Sequence, residues 1–139
     1  MPTAEASLFS ILTEGSPNAV AAIVGTRVYP DVLPQTPTLP AIRFQRISTP
    51  RSQYRTLDGH AGYASPRFQI DCFTMSRSSA LALAQAVYGL LEGFTGTVAG
   101  LRVDYVSTED EAGDIEIDAA ADGRDIYRQR LDVFLAHPE

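Results

Sequence analysis

Arg67-Phe68-Gln69-Ile70-Asp71-Cys72 is the stretch that decides how this chain folds. Phe68, Ile70 and Cys72 fall on one side of an extended backbone and Arg67, Gln69 and Asp71 on the other, the period of two that marks a half-buried strand. The alternation recurs upstream from Ala41 to Ile47, where Ile42 and Phe44 alternate with Arg43 and Gln45. Between the two lies Ser48 to Pro66, rich in Gly, Ser, Arg and Tyr, and the whole reads as a long hairpin. A strand run from Tyr63 to Met75 extends roughly 40 Å at about 3.3 Å per residue. A compact domain of this length is only about 37 Å across. Part of the hairpin is therefore expected to overhang and to pack on a neighbour.

Downstream, Ser76 opens a helix in which Ala80, Leu83, Ala84, Val87, Leu90 and Leu91 recur at helical spacing up to Gly93. That stripe is expected to cover the sheet face bearing Phe44, Phe68, Ile70, Leu131 and Val133. Leu101, Val103 and Tyr105 mark one further strand, and Tyr127, Leu131, Val133 and Leu135 mark the last. Upstream, Leu8, Ile11 and Leu12 define a short helix stopped by Gly15. Val20, Ile23 and Val24 define a second, with Ser16 as cap, Pro17 at its first position and Gly25 as its end. Pro30, Pro34, Pro37 and Pro40 then impose an extended connector. These elements predict an α+β fold: a single antiparallel or mixed sheet with a long hairpin, packed against one main helix plus short N-terminal helices. At 139 residues the chain reads as one domain, residues 1–139.

The formal charge of −6 is unevenly placed. Residues 1–100 carry seven Arg against six acids, whereas residues 101–139 carry four Arg against eleven acids. Such a surface repels phosphate, which argues against nucleic-acid binding through a basic stripe and against docking on anionic lipid. One Cys and two His supply neither a disulfide framework nor a four-ligand zinc site within one chain. The longest apolar run, Ala19 to Val24, is far short of the roughly 20 residues of a spanning helix, and no basic residue precedes Arg27 as in a signal peptide. The expectation is a soluble protein that is not exported.

No catalytic apparatus is visible, and neither an enzyme nor a cofactor is expected. Cys72 alternates with Phe68 and Ile70 on the apolar face, the place of a structural thiol. His60 sits in a Gly-flanked loop and His137 near the end of the sequence, neither with an orienting partner. Gly93, Gly96 and Gly100 match no phosphate-binding pattern. Eight carboxylates crowd seventeen residues: Glu109, Asp110, Glu111, Asp114, Glu116, Asp118, Asp122 and Asp125. An EF-hand loop counted from Asp118 is only partly met, with Gln129 where the bidentate Glu belongs. The run reads as a solvated acidic hairpin, with a metal-assisted hydrolase as the alternative of another class. Arg51, Tyr54, Arg55, Asp58 and Tyr63 surround the tip of the first hairpin, and Tyr and Arg are the residue types enriched in protein interfaces. Stacking of single-stranded nucleic acid is the competing use.

Taken in order, several segments resemble the small tail-completion or tail-terminator proteins of tailed phages and gene transfer agents. They are Gly25-Thr26-Arg27-Val28-Tyr29-Pro30, Leu39-Pro40-Ala41-Ile42, Tyr54-Arg55-Thr56-Leu57-Asp58-Gly59, Arg67 to Phe73, the Ser78 to Ala84 helix, and Tyr127 to Val133. The likeness covers nearly the whole chain. It implies a structural virion protein at the head-proximal end of the tail, assembled in the host cytoplasm. In that family's manner it would form a ring, hexameric by resemblance, that caps the tail tube and ends its polymerisation. Implied partners are further copies of the chain, the major tail tube protein and the head-tail connector. DNA would pass through without specific binding, and no membrane is involved. The acids from Glu109 to Asp118 would then face the channel or the tube. A head-to-tail adaptor or a tube subunit of similar fold is the alternative.

Overall fold

The structure is a computed structural model that describes residues 3–15, 18–34, 38–50, 63–118 and 124–138, without the side chains of 63, 114–118, 124 and 125. Its elements are α1 (Ala4–Thr13), α2 (Ala19–Val24), β1 (Val28–Pro30), β2 (Ala41–Ser48), β3 (Tyr63–Ala64), β4 (Arg67–Thr74), α3 (Arg77–Leu91), β5 (Gly96–Val98), β6 (Leu101–Val103), β7 (Tyr105–Asp118) and β8 (Arg124–Pro138). The expected α+β architecture is present. The main sheet runs β1-β2-β4-β8, with β7 and the short β3 also hydrogen-bonded to β8. It is mixed, because β1 lies parallel to β2 while the other pairs are antiparallel.

Register aligns the apolar positions. Phe44 lies beside Ile70, and Ile70 beside Leu131; Phe68 lies beside Val133. These side chains form one buried cluster with Leu83, Ala84, Val87 and Leu91 of α3, as the two periodicities require. Phe44 and Phe68 meet edge-on, with ring centroids 6.4 Å apart. Ser76 caps α3, its Oγ accepting from the Ser79 N–H at 3.2 Å. Cys72 is buried in the same cluster, and burial pushes its thiol far above the ordinary value.

Two boundaries differ from expectation. Helix α2 begins at Ala19 and is capped by Asn18 instead of Ser16. The reason is chemical: the Asn18 amide accepts from Ala21 N–H at 3.0 Å and donates to the Glu14 carbonyl at 2.6 Å, closing the end of α1 and the start of α2 together. A serine hydroxyl, with one proton on one oxygen, offers less reach. The strand expected through Leu101 to Tyr105 is divided at Asp104. Residues 101–103 turn back on β5 through Ala99 and Gly100, both with positive φ, and only then does β7 start.

The sheet face away from α3 is polar but not open throughout. Asp71 is fully buried there, receiving Arg43 Nη2 at 2.5 Å and Gln69 Nε2 at 3.1 Å. Arg43 also lies over the Phe73 ring, and Arg67 pairs with Asp132 at 2.8 Å. On the helix side, Arg46 ties β2 to Glu5 of α1. Partial burial works against the charged Glu5 carboxylate, but the hydrogen bonds and charge of Arg46 outweigh it and hold its pKa below the ordinary value.

Candidate functional site

The acidic run is a strand. Glutamate and aspartate are poor strand formers, yet β7 continues through them to Asp118, in register with Arg124 of β8. Alternation with Ile115 and Ile117 carries the pattern across the acids. β4 stops beside Tyr127, so among the described residues the β7–β8 pair runs beyond the rest of the sheet as an arm. The overhang described in the molecule is thus this arm. Four members of the first predicted interface cluster, Arg51, Tyr54, Arg55 and Asp58, lie outside the described residues. Tyr63 opens β3 beside Pro138, and its side chain is likewise outside the description.

The outer edge of β7 is treated in two ways along its length. Near its start the end of α3 closes it: Gly93 N–H donates to the Val106 carbonyl at 2.8 Å, and Thr108 N–H to the Glu92 carboxylate at 2.8 Å. A register shift between Thr108 and Asp110 then kinks the strand. From Asp110 to Asp118 no other described strand pairs with this edge. The acids begin where the cover ends. Glu109, Asp110 and Glu111 are exposed, and Asp114, Glu116 and Asp118 follow on the same strand. Charge along a strand edge is a device that keeps it from pairing with other edges.

At the root of the arm is a small lock that the sequence reading missed. Gln129 is buried; its Nε2 donates to Glu111 Oε2 at 2.6 Å, while Arg77 Nη1 donates to its Oε1 at 3.3 Å. The Arg77 guanidinium also sits 5.4 Å from the centre of the Tyr127 ring. Gly113 makes this possible, because a Cβ there would overlap Gln129 Oε1 and come within 2.5 Å of Arg77 Nη1. The available signal was a lone glycine among the acids, opposite a glutamine within an otherwise apolar alternation.

The remaining candidates are placed as follows. Cys72 lies in the core, away from solvent. His137 Nδ1 is 3.0 Å from the Pro138 carbonyl oxygen, and His60 lies outside the described residues. In the partial EF-hand pattern, residues 119–123 lie outside the description and Gln129 is committed to Glu111. Among the described residues no group of three or more His, Cys, Asp or Glu could hold a metal ion. No described helix is long and apolar enough to cross a membrane.

The family model described as tail completion protein gp17 matches residues 11–133. The chain belongs to that family. Membership makes it a structural component of a phage-type tail and a protein of the virion. Its fold is also similar to a chain from the virion of a native gene transfer agent particle, with a TM-score of 0.75 at 22% identity over 98% of this chain and 95% of that one. Curated protein sequences give no match. Within this tail completion family member, the acidic arm runs beyond the part of the sheet that β4 pairs with.

Proposed function

We propose that the protein, acting as one domain, forms a closed ring, hexameric in line with its resemblance, that caps the tail tube, ends its polymerisation and joins the tail to the head connector. The observation that carries the reading is the β7 edge from Asp110 to Asp118, which no other described strand pairs with and whose sequence is studded with like charges. Two such edges brought together would set acids against acids, which disfavours open-ended edge-to-edge stacking of identical subunits. A component that must stop growth needs that property. Six copies would carry about −36 in total, and a conduit of that sign does not hold passing DNA. Glu109, Asp110, Glu111, Asp114, Glu116 and Asp118 would face the channel or the tube. Arg51, Tyr54, Arg55, Asp58 and Tyr63 would make subunit or tail contacts without chemistry.

Sedimentation and two-dimensional class averages of the protein, alone and mixed with purified tails, test the proposal. The expected result is one closed ring of fixed size, bound at a single tail end. Open filaments would identify a tube subunit, and binding to head connectors without tails would identify an adaptor.

A further inference from the structure

Strand β7 carries a second row of backbone hydrogen-bonding groups that β8 does not use. Leu135 of β8 donates its N–H to the Pro66 carbonyl, on the β4 side, so the alternate residues from Asp132 to Arg124 turn their backbone toward β7. Their partners there are Asp110, Ala112, Asp114, Glu116 and Asp118. The residues between them, Glu111, Gly113, Ile115 and Ile117, therefore aim N–H and C=O groups away from the sheet. Glu111 shows this directly, because its N–H donates to Asp110 Oδ1 at 2.9 Å and not to β8. No other described strand takes up the row.

We infer that this row receives residues 51–57 of the next copy as an added antiparallel strand, a proposal that rests on the ring reading above and names its subunit contact. The length of chain outside the described residues narrows the occupant. Residues 51–62 are the one such stretch long enough for a strand, the others having at most five residues. Charge agrees with it: residues 51–57 hold Arg51 and Arg55 and no acid, whereas residues 110–118 hold five acids and no cation. Acids that repel a second β7 edge thus admit this segment. Arg51 and Arg55 are four positions apart, as are Asp114 and Asp118, and in a strand such positions share a face. Setting Arg55 opposite Asp114 brings Arg51 opposite Asp118 and, on the other face, Tyr54 opposite Ile115. Opposite charges and an aromatic beside a β-branched residue are the cross-strand neighbours that stabilise sheets. Position excludes the chain's own segment. The Pro50 carbonyl accepts from Ser65 N–H at 2.9 Å, and Ser65 lies between Ala64, beside His137, and Pro66, bonded to Leu135. Asp118 stands beside Arg124, about twelve residues of β8 away, or roughly 40 Å at about 3.4 Å per residue. Arg51 follows Pro50 directly and cannot cover that distance. Donor and acceptor are different patches, so the contact is head-to-tail, the kind that closes into a ring when repeated.

The test is disulfide trapping in the full chain carrying Gln53→Cys together with Glu116→Cys, positions that this alignment sets directly opposite each other. The native Cys72 is buried, so it does not compete. Mild oxidation of the double variant is expected to give a ladder of covalent multiples that ends at the ring size. Gln53→Cys with Ile115→Cys, on opposite faces, should give no ladder. Amide hydrogen exchange supplies a readout that does not depend on cross-linking. In the Arg51→Glu, Arg55→Glu double variant, which should not assemble, the N–H groups of Gly113, Ile115 and Ile117 are expected to exchange freely. A synthetic peptide of residues 49–58 should slow them roughly tenfold or more and leave Ala112, Asp114 and Glu116, already bonded to β8, unchanged. Rings that form without a ladder, and in which the same three amides exchange as freely as in the unassembled variant, would overturn the strand contact and leave the ring standing. Cross-linking of the Glu116→Cys variant to tail tube subunits instead would also overturn it. Wild-type protein that stays monomeric both alone and at tail ends would remove the ring and the contact together.

Discussion

Between Tyr105 and Thr108 strand β7 places Val106 in the core and has its outer edge closed by the end of α3, whereas from Asp110 to Asp118 the same strand pairs only with β8 among the described residues. One strand pair, with a register shift between Thr108 and Asp110, thus passes from a region held by apolar burial to one held by its partner strand and by the lock at its root. Burial stabilises by roughly 25 cal/mol per Å² of apolar surface removed from water, so the foot should dominate folding. The arm is available for contacts that the fold does not need.

The contrast can be broken hardest in the foot. Leu131→Ala, at a fully buried position beneath α3, should cost about 2–5 kcal/mol. Urea unfolding of the isolated protein measures it, and a cost under about 1 kcal/mol would mean that the foot is not the folding core. The junction should give a smaller effect. Gly113→Ala displaces Gln129 or Arg77, and losing those hydrogen bonds should cost about 1–2 kcal/mol. Gly113→Ala combined with Gln129→Ala should then add little beyond Gln129→Ala alone if the glycine serves the lock.

The smallest effect concerns acid. Glu5 is held charged by Arg46, so its folded pKa lies below its unfolded one. The stability this pair contributes is present at neutral pH and declines as pH falls through the carboxylate range near about 4.3 and below. Because the pair is partly exposed, the loss should be slight. Comparing the unfolding midpoint of wild type with Glu5→Gln between pH 7 and pH 3 isolates it; the variant should show the shallower decline.

Much of the foot is legible from spacing. Phe68, Ile70 and Cys72 on one strand, and Leu83, Val87 and Leu91 on one helix, are periodic because each group shares a single buried face. The tail completion family is legible from the order of segments that no single motif carries. The arm is less so, because strand propensity argues against acids and only Ile115 and Ile117 preserve the alternation. Alternation puts Asp71 on the polar side of its strand, and spacing does not show that Arg43 and Gln69 close over it. The lock joins Arg77 to Gln129 across fifty-two positions of sequence, a separation at which no local pattern signals contact.

The hydrogen-bonded root has a mechanical consequence. From Gly113 to Asp118 the arm spans about 17 Å at about 3.4 Å per residue, and turning a lever of that length through roughly 10° moves its tip by about 3 Å. A shift too small to disturb the helix-covered foot would therefore be enough to carry the arm into or out of register with a receiving surface. Because Arg77 stands at the first residue of α3 and donates to Gln129, a tilt of that helix end would reach the base of the arm beside Gly113.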